Sequence, residues 1–378
     1  NPGDFFENRL GPYSVLLVRG DDGELRAFQN ACRHRGSALC EGSGAGLEEI
    51  RCPFHRWTWD LAGRLREVPS RREFAGVLND DLPLLAARVG TWGPMVFVNL
   101  DLDAEPLDEF LEEVPADCAW ARLDDYRCTA IVSIAAECNW KTLIEGFSET
   151  YHVQGIHREM LGMCDDVNGP QRIWQRHGKL EQPYGLASPR LRDRPDDQGV
   201  WEAFIEVMGT RVGNTEQKDA GPAPAVPAGS SLRHEIAGII RDRGQVAGFS
   251  FMSDLSDDQL LNLSQYNLFP NITVLVFSDM LTVVRSRPGA SHDDAYMDVF
   301  AFERRPPGDT TLRTKPFDLA IAADGELPFG LVLNQDVKNF ARAQKGLRQP
   351  GLTHLTVSPT EECRIVNLHR NLELYLGV

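Results

Sequence analysis

The first hundred residues carry short apolar runs separated by turn signals, a pattern that is typical of β-structure. Four runs have strand length, at residues 13–19, 25–28, 48–52 and 94–99. Asp22-Gly23 separates the first two runs and favours a hairpin, because glycine tolerates positive φ. This part of the chain therefore predicts a small all-β domain.

A mixed pattern follows from residue 129 onward. Strand-like runs occupy residues 129–136, 272–277, 281–285 and 295–302, which indicates a second sheet. Helical spacing connects two sets of positions: Trp140, Leu143, Ile144, Phe147 and Tyr151, and then Val337, Phe340, Ala341 and Gln344. We therefore predict an α+β layout, an antiparallel sheet with long packed helices, preceded by a Pro- and acid-rich linker at 101–115.

Length, charge and composition narrow the class of protein. The 378 residues suffice for two or three domains, and the net charge of −16 argues against nucleic acid or an anionic membrane as a partner. No apolar run approaches a membrane span, and no signal-peptide pattern opens the chain. The opening Asn1-Pro2-Gly3 resembles the inside of a domain, so we expect a missing N-terminal segment. Residues 218–231 predict a mobile low-complexity loop.

Two of the eight cysteines are each followed within three residues by a histidine. Six are scattered without a disulfide-like framework, which favours reduced thiols in a cytoplasmic protein; Cys40 is interpreted as a small buried residue. The other two belong to the pairs Cys32/His34 and Cys52/His55, separated by seventeen residues, so that two loops can close around one metal centre. One thiolate and one imidazole per loop suits a [2Fe–2S] cluster with Cys₂ on one iron and His₂ on the other. A Cys₂His₂ zinc site is the alternative, although zinc-finger spacings usually begin with two cysteines and end with two histidines, whereas each pair here is mixed.

A second set of metal-binding residue types lies in the C-terminal part. Glu145, Glu149 and His152 are spaced to share one face of a predicted long helix, and Gly155 lets the chain bend so that His157 can converge on His152. Asp336 supplies a distant carboxylate, giving two histidines and one carboxylate, the facial triad of non-haem Fe(II) oxygenases. Each residue alone has an ordinary explanation, such as an N-cap for Asp336 or a solvated charge for Glu145.

Together the two sets resemble one enzyme family. Cys32-Arg33-His34-Arg35-Gly36 with Cys52-Pro53-Phe54-His55-Arg56-Trp57 resembles the cluster motif of Rieske non-haem iron oxygenase α subunits, the aromatic ring-hydroxylating oxygenases. Asn139-Trp140-Lys141, Glu145, Glu149-Thr150-Tyr151-His152 and His157 resemble their mononuclear iron motif, and Asp336 with Gln344-Lys345-Gly346-Leu347 resembles the C-terminal ligand segment.

The resemblance implies a fold and a set of ligands. It implies a Rieske domain over residues 1–110 and a helix-grip (START-like) antiparallel-sheet catalytic domain over residues 111–378. Cys32, His34, Cys52 and His55 are then the cluster ligands, and His152, His157 and Asp336 hold the mononuclear iron. Electrons are expected from NAD(P)H through a reductase, with or without a ferredoxin, and O₂ is used to hydroxylate a small organic substrate.

The resemblance also implies an assembly. In a head-to-tail homotrimer, with or without β subunits, the cluster of one subunit lies beside the iron of the next. Glu149 is then the bridge between His55 of one subunit and His152 of another, with Glu145 and Asn139 as supporting residues. Many relatives have Asp at the bridging position, and dioxygenases often have Asn where this chain has Gly146.

Substrate and functional class have competing interpretations. The apolar and aromatic runs near the predicted iron site favour a hydrophobic or aromatic substrate, as in aromatic hydrocarbon catabolism, and oxidative demethylation of a quaternary amine or methyl ether is the alternative. A Rieske electron carrier without oxygenase activity would need no second metal site. A ligand-binding module with the C-terminal fold alone would need neither site. Iron content separates these classes, at about three, two and zero irons per chain.

Overall fold

A computed structural model of the chain describes residues 1–76, 81–216, 219–309, 316–328 and 331–378, apart from the side chain of residue 331. Residue 218, the first of the predicted low-complexity loop, lies outside the described residues. The chain divides into two compact units, Asn1–Phe110 and Leu111–Val378. Among the described residues, no helix combines the length and the apolar character needed to cross a bilayer.

The N-terminal unit is built from strands, as predicted. Its described elements are β1 (Phe5–Leu10), β2 (Tyr13–Arg19), β3 (Leu25–Gln29), β4 (Ser43–Gly44), β5 (Ile50–Arg51), β6 (Thr58–Trp59), β7 (Leu65–Glu67), β8 (Ala86–Trp92), β9 (Met95–Asn99) and helix α1 (Leu107–Phe110). They form a sheet of order β4-β1-β2-β3-β8-β9 and a smaller sheet β5-β6-β7. The predicted strand at 48–52 is shorter than expected, because only its two central residues pair with β6.

The alternation of the first strands places one side chain in two into a core between the sheets. Leu16 and Val18 of β2 are buried with Phe28 of β3, and they pack with Ile50 and Trp59 of the small sheet. The predicted β2–β3 hairpin is present, and its turn contains Gly23 at φ 82°. The core thus supports the loop after β3 and the loop between β5 and β6, which carry the two Cys/His pairs.

The C-terminal unit combines one large sheet with helices. Its described elements are α2 (Val114–Asp117), β10 (Tyr126–Ala136), α3 (Trp140–Gly146), α4 (Val153–Ile156), β11 (Gln171–Ile173), β12 (Gly178–Gln182), α5 (Asp197–Met208), α6 (Leu232–Val246), α7 (Asp257–Leu261), β13 (Leu263–Leu268), β14 (Ile272–Val276), β15 (Leu281–Pro288), β16 (Ala295–Arg304), β17 (Phe317–Ile321), α8 (Leu331–Leu347) and α9 (Cys363–Leu376). The sheet order is β11-β12-β13-β14-β15-β16-β10-β17. Neighbours pair antiparallel as predicted, except that β17 runs parallel to β10.

The helix that carries the candidate iron ligand Asp336 packs close to α3. Phe340 of α8 lies against Gly146 at the end of α3, where a Cβ would come within 2.6 Å of its ring. Leu143 and Phe147 share the same buried cluster as Phe340. Gly146 therefore allows a close approach that a larger side chain would prevent. Asp336 itself lies inside α8, so the N-cap interpretation is wrong.

The predicted long helix over residues 140–151 is wrong. Helix α3 ends at Gly146, and Glu149 and His152 lie in the turn that follows. The backbone carbonyl of Phe147 accepts hydrogen bonds from the side chains of Gln265 and Asn267, so it is not available to continue the helix. Side-chain donors on β13 therefore end α3 ahead of the segment that carries Glu149 and His152.

Candidate metal centres

The two Cys/His pairs of the N-terminal unit lie in tight loops. In the first loop the amide of Cys32 donates a hydrogen bond to the carbonyl of Ser37, and the amide of Gly36 donates to the carbonyl of Cys32 at 2.9 Å. In the second loop the amide of Cys52 donates to the carbonyl of Trp57, and the amide of Arg56 donates to the carbonyl of Cys52. Gly36 has φ 77° in the first loop and Arg56 has φ 63° in the second. Both loops thus turn back on themselves directly behind a cysteine.

The loops bring two imidazoles together with their buried nitrogens unpaired. The ring centroids of His34 and His55 are 4.9 Å apart. Nδ1 of each ring is buried and has no hydrogen-bond partner among the described residues. Cys32 and Cys52 are buried as well, and their thiols are in mutual hydrogen-bond contact. Two thiols and two orphaned Nδ1 atoms, which are costly to bury unpaired, are a donor set that fits a Cys₂His₂ metal centre.

Backbone amides around the sulfurs favour their charged form. Burial raises the pKa of Cys32 and contact with Cys52 adds to this, while the amides of His34 and Arg35 act to lower it. Burial acts in the same direction on Cys52, but the amides of Phe54 and His55 donate to its sulfur and lower its pKa overall. Amides that donate to sulfur also stabilise thiolates bound to a cluster.

The surroundings of the two histidines differ on their outer sides. Trp57 stacks on His34 at 5.0 Å between ring centroids with the planes 2° apart. Burial and the nearby His55 and Arg35 lower the pKa of His34, so this ring stays neutral. Arg35 lies 2.9 Å from Nε2 of His55 and over the ring of the exposed Phe54. His55 therefore presents Nδ1 inward and Nε2 outward, to a neighbouring cation.

The second candidate centre is formed by His152, His157 and Asp336. One ligand atom from each lies within 4.8 Å of the other two. Nε2 of His157 is 2.9 Å from Oδ1 of Asp336, and Nε2 of His152 is 3.8 Å from the same oxygen. His152 immediately precedes α4 and His157 immediately follows it, so this single helical turn, and not a bend at Gly155, brings the two rings together. Two imidazoles and one carboxylate converge here, and this donor set suits non-haem iron.

Both histidines are held by hydrogen bonds on the side away from Asp336. Nδ1 of His152 lies 2.6 Å from Oε1 of Glu149, whose other oxygen accepts from the backbone amide of His152. Nδ1 of His157 lies 2.6 Å from Oε1 of Gln335. Since both outer acceptors bind a proton on Nδ1, each Nε2 is left free to bind a metal ion.

Gln335 is a residue that the sequence reasoning missed. It directly precedes Asp336, and that adjacency is the signal that could have pointed to it. Burial lowers the pKa of His157, but the hydrogen bonds to Asp336 and Gln335 reverse this, so the pKa is raised overall. A metal ion and a proton therefore compete for Nε2 of His157.

The two predicted supporting residues bind elsewhere. Glu145 accepts a hydrogen bond from Nε2 of His369 on α9 at 2.7 Å. Asn139 is the N-cap of α3, where its side chain accepts from the amide of Lys141, and it donates to the carbonyl of His292. Within the described parts of the chain, neither side chain hydrogen-bonds a member of the candidate iron triad. Both residues are thus placed to hold α3 in position.

Comparison with known families identifies the class of protein. A small β-unit with a Cys₂His₂ loop pair, joined to a mixed unit with a His₂Asp triad, is the organisation of a two-centre iron oxygenase component. The chain belongs to the ring-hydroxylating alpha subunit family, whose catalytic-domain model matches residues 123–377, and a Rieske [2Fe-2S] domain model matches residues 1–85. This confirms the predicted family, its fold class and its two iron cofactors.

Curated relatives include both monooxygenases and dioxygenases. The oxygenase subunit of carnitine monooxygenase from Escherichia coli (strain K12) is 30% identical over 207 residues, which are 54% of each chain. The alpha subunit of biphenyl 2,3-dioxygenase from Rhodococcus jostii (strain RHA1) is 36% identical over 244 residues, 58% of this chain and 49% of that protein. The chain thus spans about half the length of the curated relatives that it matches.

Solved structures agree on the fold. A quaternary ammonium Rieske monooxygenase in complex with L-carnitine has a TM-score of 0.63 at 16% identity, covering 99% of this chain and 85% of the other. Naphthalene 1,2-dioxygenase with bound indole has a TM-score of 0.62 at 18% identity, covering 100% and 84%. At these identities the likeness concerns the fold alone.

Proposed function

We propose that the protein is a Rieske-type terminal oxygenase component that hydroxylates a small hydrophobic or aromatic organic molecule. It uses O₂ and electrons delivered from NAD(P)H by a reductase, directly or through a ferredoxin. The observation that carries this proposal is that the chain holds two separate donor sets, the Cys₂His₂ loops and the triad of His152, His157 and Asp336. An electron carrier needs only the first set, and a ligand-binding module needs neither.

The residues of each set have defined roles in this proposal. Cys32, His34, Cys52 and His55 hold the [2Fe–2S] cluster, and the triad holds a mononuclear Fe(II). When bound, the cluster supplies single electrons and the iron supplies O₂ activation. Glu149 and Gln335 keep the protons of His152 and His157 on Nδ1, so that both Nε2 atoms remain free to bind metal.

The residues that follow the iron triad in the chain support an apolar substrate. Val153 lies between the two histidines, and Met160 and Met163 follow His157 by three and six residues. All three belong to a large buried cluster that includes Phe204 of α5. A substrate space bordered by this cluster would favour hydrophobic ligands and offer few hydrogen bonds to polar ones.

A quaternary amine is the second candidate substrate. Two relatives by name act on such compounds, the carnitine and glycine betaine monooxygenase subunits. The same buried cluster contains aromatic faces, among them Tyr184, Trp201 and Phe277. Aromatic faces attract quaternary ammonium groups through cation–π interactions, so this substrate class is also compatible with the described residues.

A single-turnover experiment tests both candidates without a partner protein. The holoenzyme is reduced anaerobically, freed of reductant, and mixed with ¹⁸O₂ and one compound from a panel of biphenyl, naphthalene, carnitine and glycine betaine. Hydroxylated aromatic product carrying ¹⁸O supports the main proposal, whereas aldehyde released from a methylated amine supports the second. Oxidation of the cluster with no product from any apolar or amine compound would contradict an oxygenase of either type.

We further infer a head-to-tail homotrimer in which Glu149 bridges His152 of one subunit and His55 of its neighbour. The inference follows the family pattern, and it is supported by the hydrogen bonds of both Glu149 oxygens to His152. Arg35 contacts the outward Nε2 of His55, so Arg35 has to move aside when the bridge forms. β subunits can accompany such a trimer, and the eight unpaired cysteines fit a cytoplasmic location.

Mixed assemblies test transfer between subunits. A Cys52→Ser chain keeps the iron triad, and a His152→Ala chain keeps the cluster, so each alone is expected to be inactive. If electrons pass between neighbours, co-expression of the two chains restores a fraction of wild-type turnover. Inactive mixtures with normal oligomer mass and metal content would contradict the bridge but leave the oxygenase proposal standing.

A further inference from the structure

A small, partly open cavity lies in the C-terminal unit, apart from the triad residues. It is formed where α9 crosses the end of α3, the start of β12 and the turn after β13. The residues that matter for its chemistry are Ser148, Arg176, Gly178, Asn267 and Arg364. None of them has a role in the proposed iron chemistry.

Arg364 enters this cavity as a buried and incompletely paired cation. The residue is only 2% exposed. Its Nε donates to the backbone carbonyl of Ser148 at 3.0 Å, while Nη1 and Nη2 have no hydrogen-bond partner among the described residues. Gly178 makes room for its stem, because a Cβ there would come within 2.9 Å of Cγ of Arg364. The guanidinium is thus fixed on one edge and unsatisfied on the other.

The other buried arginines of the described chain are paired with carboxylates. Arg211 lies 2.7 Å from Asp279, and Arg304 lies 3.2 Å from Asp125. Arg364 has no such ion pair within the described ranges. Burial lowers the pKa of Arg364 to about 10, a value that leaves the guanidinium charged at neutral pH. Glu149 acts on this guanidinium only through its charge and not through a hydrogen bond, so the buried cation is incompletely compensated and the position favours a further anion.

We propose that this cavity is a binding site for a small monovalent anion, a halide or a carboxylate of formate size. The anion accepts hydrogen bonds from Nη1 and Nη2 of Arg364. The buried Oδ1 of Asn267, which also lacks a partner among the described residues, takes a hydrogen bond from a water that solvates the anion. A water alone would satisfy the hydrogen bonds but would add no negative charge beside the guanidinium.

Bromide and formate are the probes that test this site on the full chain. Crystals soaked in bromide are examined for an anomalous peak within hydrogen-bond distance of the Arg364 guanidinium. In parallel, thermal unfolding is followed as formate or chloride is raised at constant ionic strength. Because the anion binds only the folded chain, Tm rises by roughly 2 to 5 °C for each tenfold increase above the dissociation constant.

Two variants show whether the effect belongs to this position. Arg364→Gln loses the formate-dependent rise in Tm, while Arg370→Gln, which removes the same charge from an exposed position of α9, keeps it. Absence of the bromide peak, or a peak that density assigns to water alone, overturns the proposal. An equal Tm response in wild type and Arg364→Gln does so too. If Arg364→Gln does not fold, the bromide peak in the wild-type protein decides.

Discussion

The two candidate iron centres are built in opposite ways. In the N-terminal unit each ligand pair is local, since Cys32 and Cys52 are followed within three residues by their histidines and by the amides that donate to sulfur. In the C-terminal unit the triad combines the segment after α3 with α8. Two of its members, His157 and Asp336, lie in hydrogen-bond contact although they are 179 positions apart in the chain. A local site depends on loop geometry, whereas a distant one depends on the packing of helices. Substitutions in the two units are therefore expected to impair their metal centres in different ways.

Removal of a ligand from either centre should give the largest effect and separate the two. His152→Ala should lower turnover to background and iron from about three to about two per chain, because the cluster ligands remain. Cys52→Ser should instead remove the cluster, leaving about one iron. Iron analysis and the visible cluster spectrum of both variants provide the measurement. A bleached spectrum in His152→Ala would show that the ligand assignment is wrong.

Removal of the hydrogen bond behind an iron ligand should have the next largest effect. Gln335→Leu leaves Nδ1 of His157 without its acceptor, so the ring is no longer held with Nε2 toward Asp336. We expect iron affinity to fall by roughly 10- to 100-fold while the cluster spectrum is unchanged. Iron titration of the apo-protein measures the change, and Gln335→Glu, which keeps an acceptor, is the matched control. Equal affinity of Gln335→Leu and wild type would remove Gln335 from the site.

Filling the contact between α3 and α8 should affect stability before chemistry. Gly146→Ala places a Cβ within 2.6 Å of the Phe340 ring, and α8 has to shift to accommodate it. We expect a loss of about 1–3 kcal/mol in the free energy of unfolding, with weaker iron binding. Gly155→Ala is the control, because a Cβ there meets nothing within 4 Å. Urea unfolding of both variants measures the difference, and equal losses would contradict the close-packing argument.

The pair of His369 and Glu145 should give the smallest effect and a defined pH dependence. The hydrogen bond that His369 donates to Glu145 raises the pKa of His369 above its usual 6.5. The stabilisation is therefore complete below pH 6.5 and is lost as pH rises through the higher folded value. The side chain is 43% exposed, so screening limits the loss to about 0.5 kcal/mol or less.

This is checked by measuring the unfolding free energy of wild type and His369→Gln between about pH 5 and 9, a range that spans the usual histidine pKa and the raised value of the folded state. The difference in unfolding free energy between the two proteins should shrink as pH rises. A difference that grows with pH would mean that His369 is held neutral rather than charged.

How much could be predicted differed between the units for a physical reason. The Cys/His pairs, the β2–β3 hairpin and the strands near them depend on neighbouring residues, and the sequence pattern was enough for them. The single helix over residues 140–151 was wrong, because Gln265 and Asn267 of β13 take up the carbonyl that would continue it. The parallel pairing of β17 with β10 likewise had no local signal.

Residues in the candidate sites follow the same division. The donor types Cys32, His34, Cys52 and His55 were evident from spacing, while the outward contact of Arg35 with His55 was not. Glu145 and Asn139 were expected to support the iron triad and instead hold α3 to α9 and to the loop at His292. Their sequence positions near the motif did not determine which partner they would meet.

The sequence by itself determined which chemistry the chain can carry. The residue types of the ligands and their short spacings within one loop are fixed by the sequence and do not depend on contacts with distant parts of the chain. Tertiary structure decided which distant groups meet: Asp336 with His157, Gln335 with Nδ1 of the same ring, and Arg364 of α9 with the carbonyl of Ser148, which leaves its two Nη atoms without a partner among the described residues. The reason is that helix packing and side-chain burial are set by contacts across the whole unit, and no short stretch of residues specifies those contacts.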